Sequence, residues 1–228
     1  MTDKHAEKDP RETGKEAAGR RAAEAVEDGM RVGLGTGSTA YYAIVALGER
    51  RPDITCVATS VDTEKLARSY GLKVVDPGDV DGLDIDIDGA DEVDSDLNLT
   101  KGGGGAHARE KVVANMAGRF FVVVDDSKLV ERLCEKRPLP VEVLEFAEEV
   151  VRRDLERLGA TDVSRRDHLS DNNNPILDAQ FPPIADPEAL KAALDATPGI
   201  VEHGIFLVDM VHEVIVGTAE GDARTISP

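Results

Sequence analysis

The segment Arg31-Val32-Gly33-Leu34-Gly35-Thr36-Gly37-Ser38-Thr39 joins a short apolar stretch to a loop of glycine and hydroxyl residues. Residues 31–35 are predicted to form a strand, and residues 36–39 the loop that follows it. Residues 40–50 have the pattern of a helix. A strand, a glycine-rich loop and a helix in this order are a building unit of α/β proteins. We therefore expect this segment to belong to an α/β domain.

The same alternation extends on both sides of this segment. Before it, Thr13-Gly14-Lys15-Glu16 is a capping-box pattern that opens a helix, and Gly29 is placed to end that helix. After it, short apolar strands are predicted at residues 54–58, 72–75, 83–88 and 120–124, and helices at residues 62–70 and 107–117. Short apolar strands that alternate with helices predict a mostly parallel sheet flanked by helices.

The alternation of single strands with single helices changes near Pro138. Strands are predicted at residues 140–144, 162–166, 175–181 and 200–203, and helices at residues 145–158 and 187–196. This β-α-β-β-α-β order predicts a smaller, ferredoxin-like α/β lobe over residues 133–204. Strands at residues 206–208 and 211–216 would return the chain to the first sheet. The main domain is accordingly predicted to comprise residues 1–132 and 205–228.

Composition excludes several classes of protein. The 228 residues carry 45 acidic and 27 basic side chains, a net charge of −18, so a nucleic-acid partner is not expected. No apolar run is long enough to cross a bilayer, and the N-terminus has no signal-peptide pattern, so we expect a cytoplasmic protein without a membrane partner. Cys56 and Cys134 are expected to be reduced and unpaired. The acidic excess favours a halophilic source, with an ordinary acidic mesophile as the alternative.

The loop after the first predicted strand has the composition of an anion site. Its glycines expose backbone N–H groups, and the free amides at the start of the next helix attract negative charge. Ser38 and Thr39 add hydroxyl donors. The loop lacks the third glycine of a dinucleotide fingerprint and the Gly-Lys-Ser/Thr ending of a Walker loop, which favours a monophosphate. Lys15 would add a cation. The alternatives are a plain strand-to-helix turn and an exposed helix lysine.

The segment Asp84-Ile85-Asp86-Ile87-Asp88-Gly89-Ala90-Asp91-Glu92 alternates carboxylates with isoleucines. Three carboxylates aligned on a buried sheet would be costly, so we expect Asp88 and Asp91 to lie where the strand ends at Gly89. Ligands of open α/β sheets bind at such strand ends. A solvated acidic loop and a divalent-metal site are the alternatives. Because Lys101 would repel a cation, no metal is expected.

Four glycines follow Lys101, in the segment Lys101-Gly102-Gly103-Gly104-Gly105. A run of glycines is entropically costly and is worth having where the backbone lies against a ligand. Glu110 falls on the next predicted helix, where its carboxylate can be held to remove a proton from a carbon beside a carbonyl. Lys101 and the loop amides would stabilise the resulting oxyanion. The alternative for Glu110 is an ordinary surface glutamate. His107 is a weaker candidate, and Lys128, after another strand end, is expected to face the same pocket.

In this combination, four blocks of the sequence resemble the signature blocks of the type A ribose-5-phosphate isomerase family. They are Gly33-Leu34-Gly35-Thr36-Gly37-Ser38-Thr39, Asp88-Gly89-Ala90-Asp91-Glu92, Lys101-Gly102-Gly103-Gly104 and Arg109-Glu110-Lys111. Residues 125–128, 138–143 and 171–178 are also similar to that family. The likeness implies a Rossmann-like sheet with a smaller lobe, and interconversion of D-ribose 5-phosphate and D-ribulose 5-phosphate. It also implies that no metal or organic cofactor is used and that the chain forms a homodimer or homotetramer.

The resemblance further implies a role for individual residues. Glu110 would be the proton acceptor, Asp88 the group that transfers a proton in ring opening, and Lys101 with Asp91 would stabilise charge on the sugar oxygens. The implied substrate-binding residues are Lys15, Thr36, Gly37, Ser38, Thr39, Asp88, Gly89, Ala90, Asp91, Lys101, Gly102, Gly103, Gly104 and Lys128. Two other functions stay open at this point: a phosphosugar sensor that binds without turnover, and a sugar-phosphate deaminase of the same broad fold.

Overall fold

The computed structural model describes residues 9–228. Residues 1–8, which include the N-terminus without a signal-peptide pattern, lie outside the described residues. The strands, numbered in chain order, are β1 Arg31–Leu34, β2 Thr55–Ala58, β3 Lys73–Val74, β4 Ile85–Asp88, β5 Glu92–Val93, β6 Leu99–Thr100, β7 Phe120–Asp125, β8 Leu139–Val143, β9 Asp162–Arg165, β10 Ile176–Gln180, β11 Ile200–His203, β12 Ile205–Phe206, β13 Glu213–Gly217 and β14 Ala223–Ile226. The helices are α1 Pro10–Ala23, α2 Ser38–Arg50, α3 Val61–Ser69, α4 His107–Met116, α5 Glu148–Arg157 and α6 Pro187–Asp195.

The main sheet has seven strands in the order β14-β13-β7-β4-β1-β2-β3. All neighbouring pairs are parallel except β13 and β14, which are antiparallel. The predicted mostly parallel α/β sheet is therefore confirmed. The edge strand β14 was not predicted, because its sequence, Ala223-Arg224-Thr225-Ile226, carries no apolar pattern and none of its residues is buried.

Helix α1 packs closely on its neighbours through glycines. A Cβ on Gly14 would lie 2.9 Å from the carbonyl oxygen of Gly217, and one on Gly19 would lie 2.7 Å from the carbonyl oxygen of Thr39. These contacts seat α1 against β13 and against the first turn of α2. The helix begins at Pro10, three residues before the predicted start, because Asp9 caps it by accepting a hydrogen bond from the Arg11 amide.

The smaller lobe contains a four-stranded antiparallel sheet in the order β11-β8-β10-β9, with α5 and α6. In chain order these elements form the predicted β-α-β-β-α-β unit, and the strand order is that of a ferredoxin-like lobe. The predicted helix over residues 145–158 is divided into a 3₁₀ turn, Glu145–Ala147, and α5. A separate apolar core, which includes Leu139, Val151 and Leu177, fills this lobe. We base on this core the proposal that residues 133–204 form a unit of their own.

A third sheet, with the strand order β12-β6-β5, lies between the two. The prediction that residues 206–208 return to the first sheet is wrong. Ile205 and Phe206 pair instead with Thr100 and Leu99 of β6, and Val208–Met210 is a 3₁₀ turn. Strands of two residues have no periodicity from which to predict them. The chain rejoins the main sheet at β13.

The junction between the main domain and the lobe is organised by Glu92, which is fully buried. Its carboxylate accepts hydrogen bonds from the backbone amides of Cys134 and Lys136, both at 2.6 Å, and from that of Arg137 at 3.1 Å. The Thr100 hydroxyl adds a fourth donor at 3.3 Å. The first turn of chain that enters the lobe is thus fixed to the main domain. Within residues 9–228, no helix combines the length and the apolar character needed to cross a membrane.

Candidate active site

A cavity of about 190 Å³ lies at the carboxyl ends of β1, β4 and β7. This is the edge of an open parallel sheet at which ligands bind. Its lining consists of strand-end loops, the glycine loop after β6 and one side chain of α4. The lining residues are Thr36, Gly37, Ser38, Thr39, Gly89, Ala90, Asp91, Lys101, Gly102, Gly103, Gly104, Glu110 and Lys128. The structure thus brings together nearly all the residues that the sequence predicted for the site.

A glycine of β1, Gly33, and the glycine that follows this strand, Gly35, make room for two carboxylates of the neighbouring strand. A Cβ on Gly33 would overlap the Asp86 carboxylate, and a Cβ on Gly35 would overlap that of Asp88. Asp86 and Asp88 project from the same face of β4, since side chains two residues apart share a face. These two glycines therefore provide space for the carboxylates, whereas the whole glycine run was predicted to bind an anion.

Lys101 lies between two carboxylates at the floor of the cavity. Its Nζ is 3.0 Å from Asp88 Oδ2 and 3.4 Å from Glu110 Oε2, and it donates a hydrogen bond to the Gly89 carbonyl. The side chains of these three charged residues are at most 5% exposed. Asp88 Oδ1 accepts the amides of Thr36, at 2.9 Å, and of Gly89, at 2.7 Å. Asp88 itself is fully buried behind the lining, so it reaches the cavity through its contact with Lys101.

Burial dominates the ionisation of this cluster. It raises the pKa of Glu110 to about 8, with a smaller opposing effect of Lys101. Burial also raises the pKa of Asp88, which Lys101 opposes. For Lys101 burial acts to lower the pKa, but the negative charges of Asp88 and Glu110 outweigh it, and the pKa is raised. The ammonium is therefore retained at neutral pH, and Glu110 is poised to exchange a proton near the working pH.

Asp91 and the glycine loop are fixed to each other. The Gly103 amide donates to Asp91 Oδ2 at 2.7 Å, and the Gly105 amide closes a turn on the Gly102 carbonyl at 2.9 Å. Gly102 and Gly105 have φ angles of +104° and +83°, which strongly favour glycine. The run of glycines thus forms a defined turn against the cavity.

The first turn of α2 borders the other end of the cavity. Gly37 precedes this turn with a φ of +112°, and no side chain within residues 9–228 caps the helix. The amides of Ser38 and Thr39 are therefore uncapped and border the cavity, as an anion site there would require, and their binding of an anion stays a prediction. Thr36 also lines the cavity, and its hydroxyl contacts those of Thr59, at 2.8 Å, and Thr63, at 3.1 Å. Its part in substrate binding stays a prediction.

The two predicted phosphate lysines differ in position. Lys128 ends the 3₁₀ turn after β7 and lines the cavity. Lys15 does not line it, and its Nζ lies 2.5 Å from Glu12 Oε1. Lys15 nevertheless lies one helical turn before Gly19, which touches the first turn of α2. Its role at the phosphate stays a prediction.

Histidines do not take part in this cluster. His107 is fully buried beneath Gly102, and burial lowers its pKa to about 3, which keeps the ring neutral.

Among residues 9–228, one group has ligand atoms close enough to hold a metal: Asp195, Glu202 and His203, outside the cavity. Lys111 Nζ already lies 2.6 Å from Glu202 in that group.

Three residues near the site were not assigned a role by the sequence analysis. Asp86 is fully buried below Asp88, and neither of its carboxylate oxygens has a hydrogen-bond partner within residues 9–228. Arg166 and Asp178 belong to the lobe, and Arg166 contacts the glycine loop. The alternation of aspartates at positions 84, 86 and 88 could have indicated that Asp86 lies on the same strand face as Asp88. An arginine at a strand end gives no signal of a contact 64 residues away.

The fold and the site together define a class of protein. It is an α/β enzyme whose cavity joins an amide-lined anion site to buried carboxylates that share one ammonium. Residues 55–221 match the family model described as ribose 5-phosphate isomerase A (phosphoriboisomerase A). The chain belongs to this family.

Individual relatives agree with this assignment. The chain is 50% identical to ribose-5-phosphate isomerase A of Thermomicrobium roseum, over 95% of this chain and 97% of that protein. It is 49% identical to ribose-5-phosphate isomerase A of Haloarcula marismortui, over 93% and 96%.

Solved structures give the same result. A ribose-5-phosphate isomerase in complex with phospho-erythronic acid superposes with a TM-score of 0.92 at 39% identity, covering 96% of this chain and 99% of that one. The ribose 5-phosphate isomerase A of Methanocaldococcus jannaschii gives a TM-score of 0.88 at 40% identity, covering 94% and 98%.

Proposed function

We propose that this protein is an aldose–ketose isomerase that interconverts D-ribose 5-phosphate and D-ribulose 5-phosphate in the non-oxidative pentose phosphate pathway. One observation carries the proposal: Glu110 and Lys101 converge on a cavity whose other end is the free N-terminus of α2. Isomerisation of a phosphosugar requires both ends of this cavity: an anion site for the phosphate, and a base with an oxyanion-stabilising partner at the carbonyl end.

We assign the phosphate to the amides and hydroxyls of Ser38 and Thr39, with Lys128 as the nearby cation. Lys15 would join them by leaving Glu12. Asp91, Gly89, Ala90 and the glycine loop then lie along the sugar. The anion site contains amides, so a chain of net charge −18 can still bind a doubly negative substrate.

Ring opening is assigned to Asp88. The cyclic sugar must lose the proton of its C1 hydroxyl and gain one on the ring oxygen as the C1–O bond to the ring breaks. The Asp88 carboxylate exchanges protons with the substrate through Lys101, which lines the cavity and whose Nζ lies 3.0 Å from Asp88 Oδ2. The product of this step is the open-chain aldehyde.

Proton transfer between C2 and C1 is assigned to Glu110. The ionised carboxylate removes the C2 proton, the electron pair forms the C1–C2 double bond, and the aldehyde oxygen becomes an enediolate oxygen. Lys101 and the backbone amides of the glycine loop stabilise that charge, and Asp91 holds this loop in place by accepting the Gly103 amide at 2.7 Å. Glu110 then returns its proton to C1, and the proton of the C2 hydroxyl passes to the enediolate oxygen on C1, so that the C2 carbonyl and the C1 hydroxyl form. No atom is gained or lost.

A variant of the base tests the proposal. Glu110→Gln keeps the shape of the side chain but cannot accept the C2 proton, so kcat should fall about 10²- to 10⁴-fold or more. Ribose 5-phosphate should still bind in calorimetry, since the phosphate contacts are untouched. The exposed helix residue Glu156 supplies the control, and Glu156→Gln should have wild-type kcat. Isomerisation at the wild-type rate in Glu110→Gln would remove Glu110 from its assigned role.

The remaining features follow the family resemblance. We propose that the protein works without a metal or organic cofactor, is cytoplasmic, and assembles as a homodimer or homotetramer. An assay with and without a chelator tests the first point, and light scattering during gel filtration tests the last.

A further inference from the structure

A side chain of the smaller lobe contacts the backbone of the cavity wall. Arg166 follows β9, and its Nη1 donates hydrogen bonds to the carbonyl oxygens of Gly102, at 2.7 Å, and Gly103, at 3.2 Å. Both glycines line the cavity. The contact therefore joins the lobe to the loop that carries Lys101.

Asp178 of β10 orients this arginine. The Arg166 Nε and Nη2 atoms each lie 2.6 Å from one oxygen of the Asp178 carboxylate. The two side chains are only 11% and 18% exposed. A guanidinium held at two nitrogens by one carboxylate is fixed in plane and direction, so its third nitrogen is aimed at the loop.

The loop depends on such an external contact. Glycines have no side chains through which a loop can be packed, and their backbone is the most mobile of any residue when free. In the structure, the carbonyls of Gly102 and Gly103 are held by Arg166, and the Gly103 amide is held by Asp91. Since a peptide is planar, fixing its carbonyl also fixes the direction of the N–H that follows. Arg166 thus fixes the orientation of the Gly103 amide, which donates to Asp91, and of the Gly104 amide, whose residue lines the cavity.

We propose that Arg166, oriented by Asp178, is a positioning residue for the isomerase reaction, which keeps the Lys101–Gly103 backbone in its catalytic geometry. The inference rests on the proposed function and extends it, because it gives the lobe a part in the reaction. Arg166 touches neither the sugar nor the phosphate. It acts through the amides and the ammonium that stabilise the enediolate.

Kinetics of Arg166→Ala and Arg166→Lys test this inference. The lysine variant keeps the charge but lacks the planar fork, so both should lower kcat about 10- to 100-fold, with KM changed by less than about threefold. The affinity for inorganic phosphate, measured by calorimetry, should equal that of the wild type, because the α2 amides are untouched. The control is Arg165→Ala, since Arg165 is 44% exposed and pairs with Glu148. It should match the wild type.

Loss of Arg166 alone leaves the Asp178 carboxylate without its cation, which can unfold the lobe. The double variant Arg166→Ala, Asp178→Ala removes both charges and should show the same fall in kcat at an unchanged melting temperature. Wild-type kcat in a folded Arg166→Lys or double variant would overturn the inference, as would a fall that only follows the fraction of unfolded protein. An inactive wild-type protein would instead overturn the proposed function, so the two failures are distinct.

Discussion

Glu110 has the most informative environment of any single residue in the chain. Its carboxylate is almost completely buried, its Oε2 accepts no hydrogen bond from residues 9–228, and the nearest cation is Lys101 at 3.4 Å. A carboxylate in water is a weak base. Removing the water that stabilises its charge makes it stronger, which is what abstraction of a proton from carbon requires.

The pH dependence of catalysis should follow from this environment. The base acts only when ionised, and burial raises the pKa of Glu110 to about 8 in the free protein. We expect kcat/KM to rise with pH through an apparent pKa near 8, above the second ionisation of the phosphate near about 6. Initial rates between pH 5.5 and about 9.5 measure the profile. A flat profile over pH 7 to about 9 would contradict a buried base.

Asp86 should make stability pH-dependent. Burial, followed by the charge of Asp88, raises its pKa well above the usual range. A raised pKa means that the folded protein keeps a proton that the unfolded chain loses above about pH 4. The stabilising effect of that proton is complete below pH 4 and is lost as the pH rises, by at most about 1.4 kcal/mol per pH unit.

Thermal melting of Asp86→Asn across pH 5 to about 8 checks this linkage. The amide does not titrate, so the difference between the melting temperatures of variant and wild type should shift in favour of the variant as the pH rises. Asp84→Asn is the control, because Asp84 is 41% exposed and pairs with Arg31. Parallel curves for wild type and Asp86→Asn would show that Asp86 is already ionised in the folded protein.

At the scale of elements, β1 and β4 constrain each other. The side chains of Asp86 and Asp88 occupy the space above Gly33 and Gly35, so the two strands can pair only if one lacks Cβ atoms at these positions. The glycines that made β1 resemble a phosphate loop thus have a steric function inside the sheet. The anion site itself begins only at Gly37.

Gly35→Ala should therefore damage both the fold and the site. The new Cβ would overlap the Asp88 carboxylate, and overpacking of this kind costs about 1–3 kcal/mol. Displacement of Asp88 from Lys101 should also lower kcat. Gly78→Ala is the matched control, because a Cβ there has no atom within 4 Å. Urea denaturation and kcat of both variants give the measurement, and a Gly35→Ala protein of wild-type stability and rate would contradict the argument.

Sequence reasoning succeeded for elements whose information is local. The strands β1, β2 and β7 are short, mainly apolar and bounded by turn residues, and β4 alternates isoleucine with aspartate. The helix that carries Glu110 was placed at His107, where α4 begins. It failed for β5, β6 and β12, which are two residues long and exist only because they pair with one another. The contact of Arg166 with the glycine loop was also out of reach, since it depends on how two domains pack.

At the scale of the whole molecule, the net charge should determine how stability depends on salt concentration. The net charge of −18 opposes the compact state by self-repulsion, and salt at molar concentration screens this repulsion over about 3 Å. On the proposal of a halophilic source, the melting temperature should rise by several degrees or more between about 0.1 M and 3 M KCl. Calorimetry in both buffers measures it. Sucrose at matched viscosity is the control, and an identical melting temperature in both salts would indicate an ordinary acidic protein.

The position of Glu92 has a consequence for how substrate enters. Four donors converge on this buried carboxylate at the point where the described chain first crosses from the main domain into the lobe. A hinge needs backbone that is free to rotate. Here the Glu92 carboxylate holds the backbone amides of Cys134, Lys136 and Arg137 in place. We therefore expect the lobe and the main domain to keep their relative orientation when substrate binds, so that the sugar enters a site whose walls are already in place.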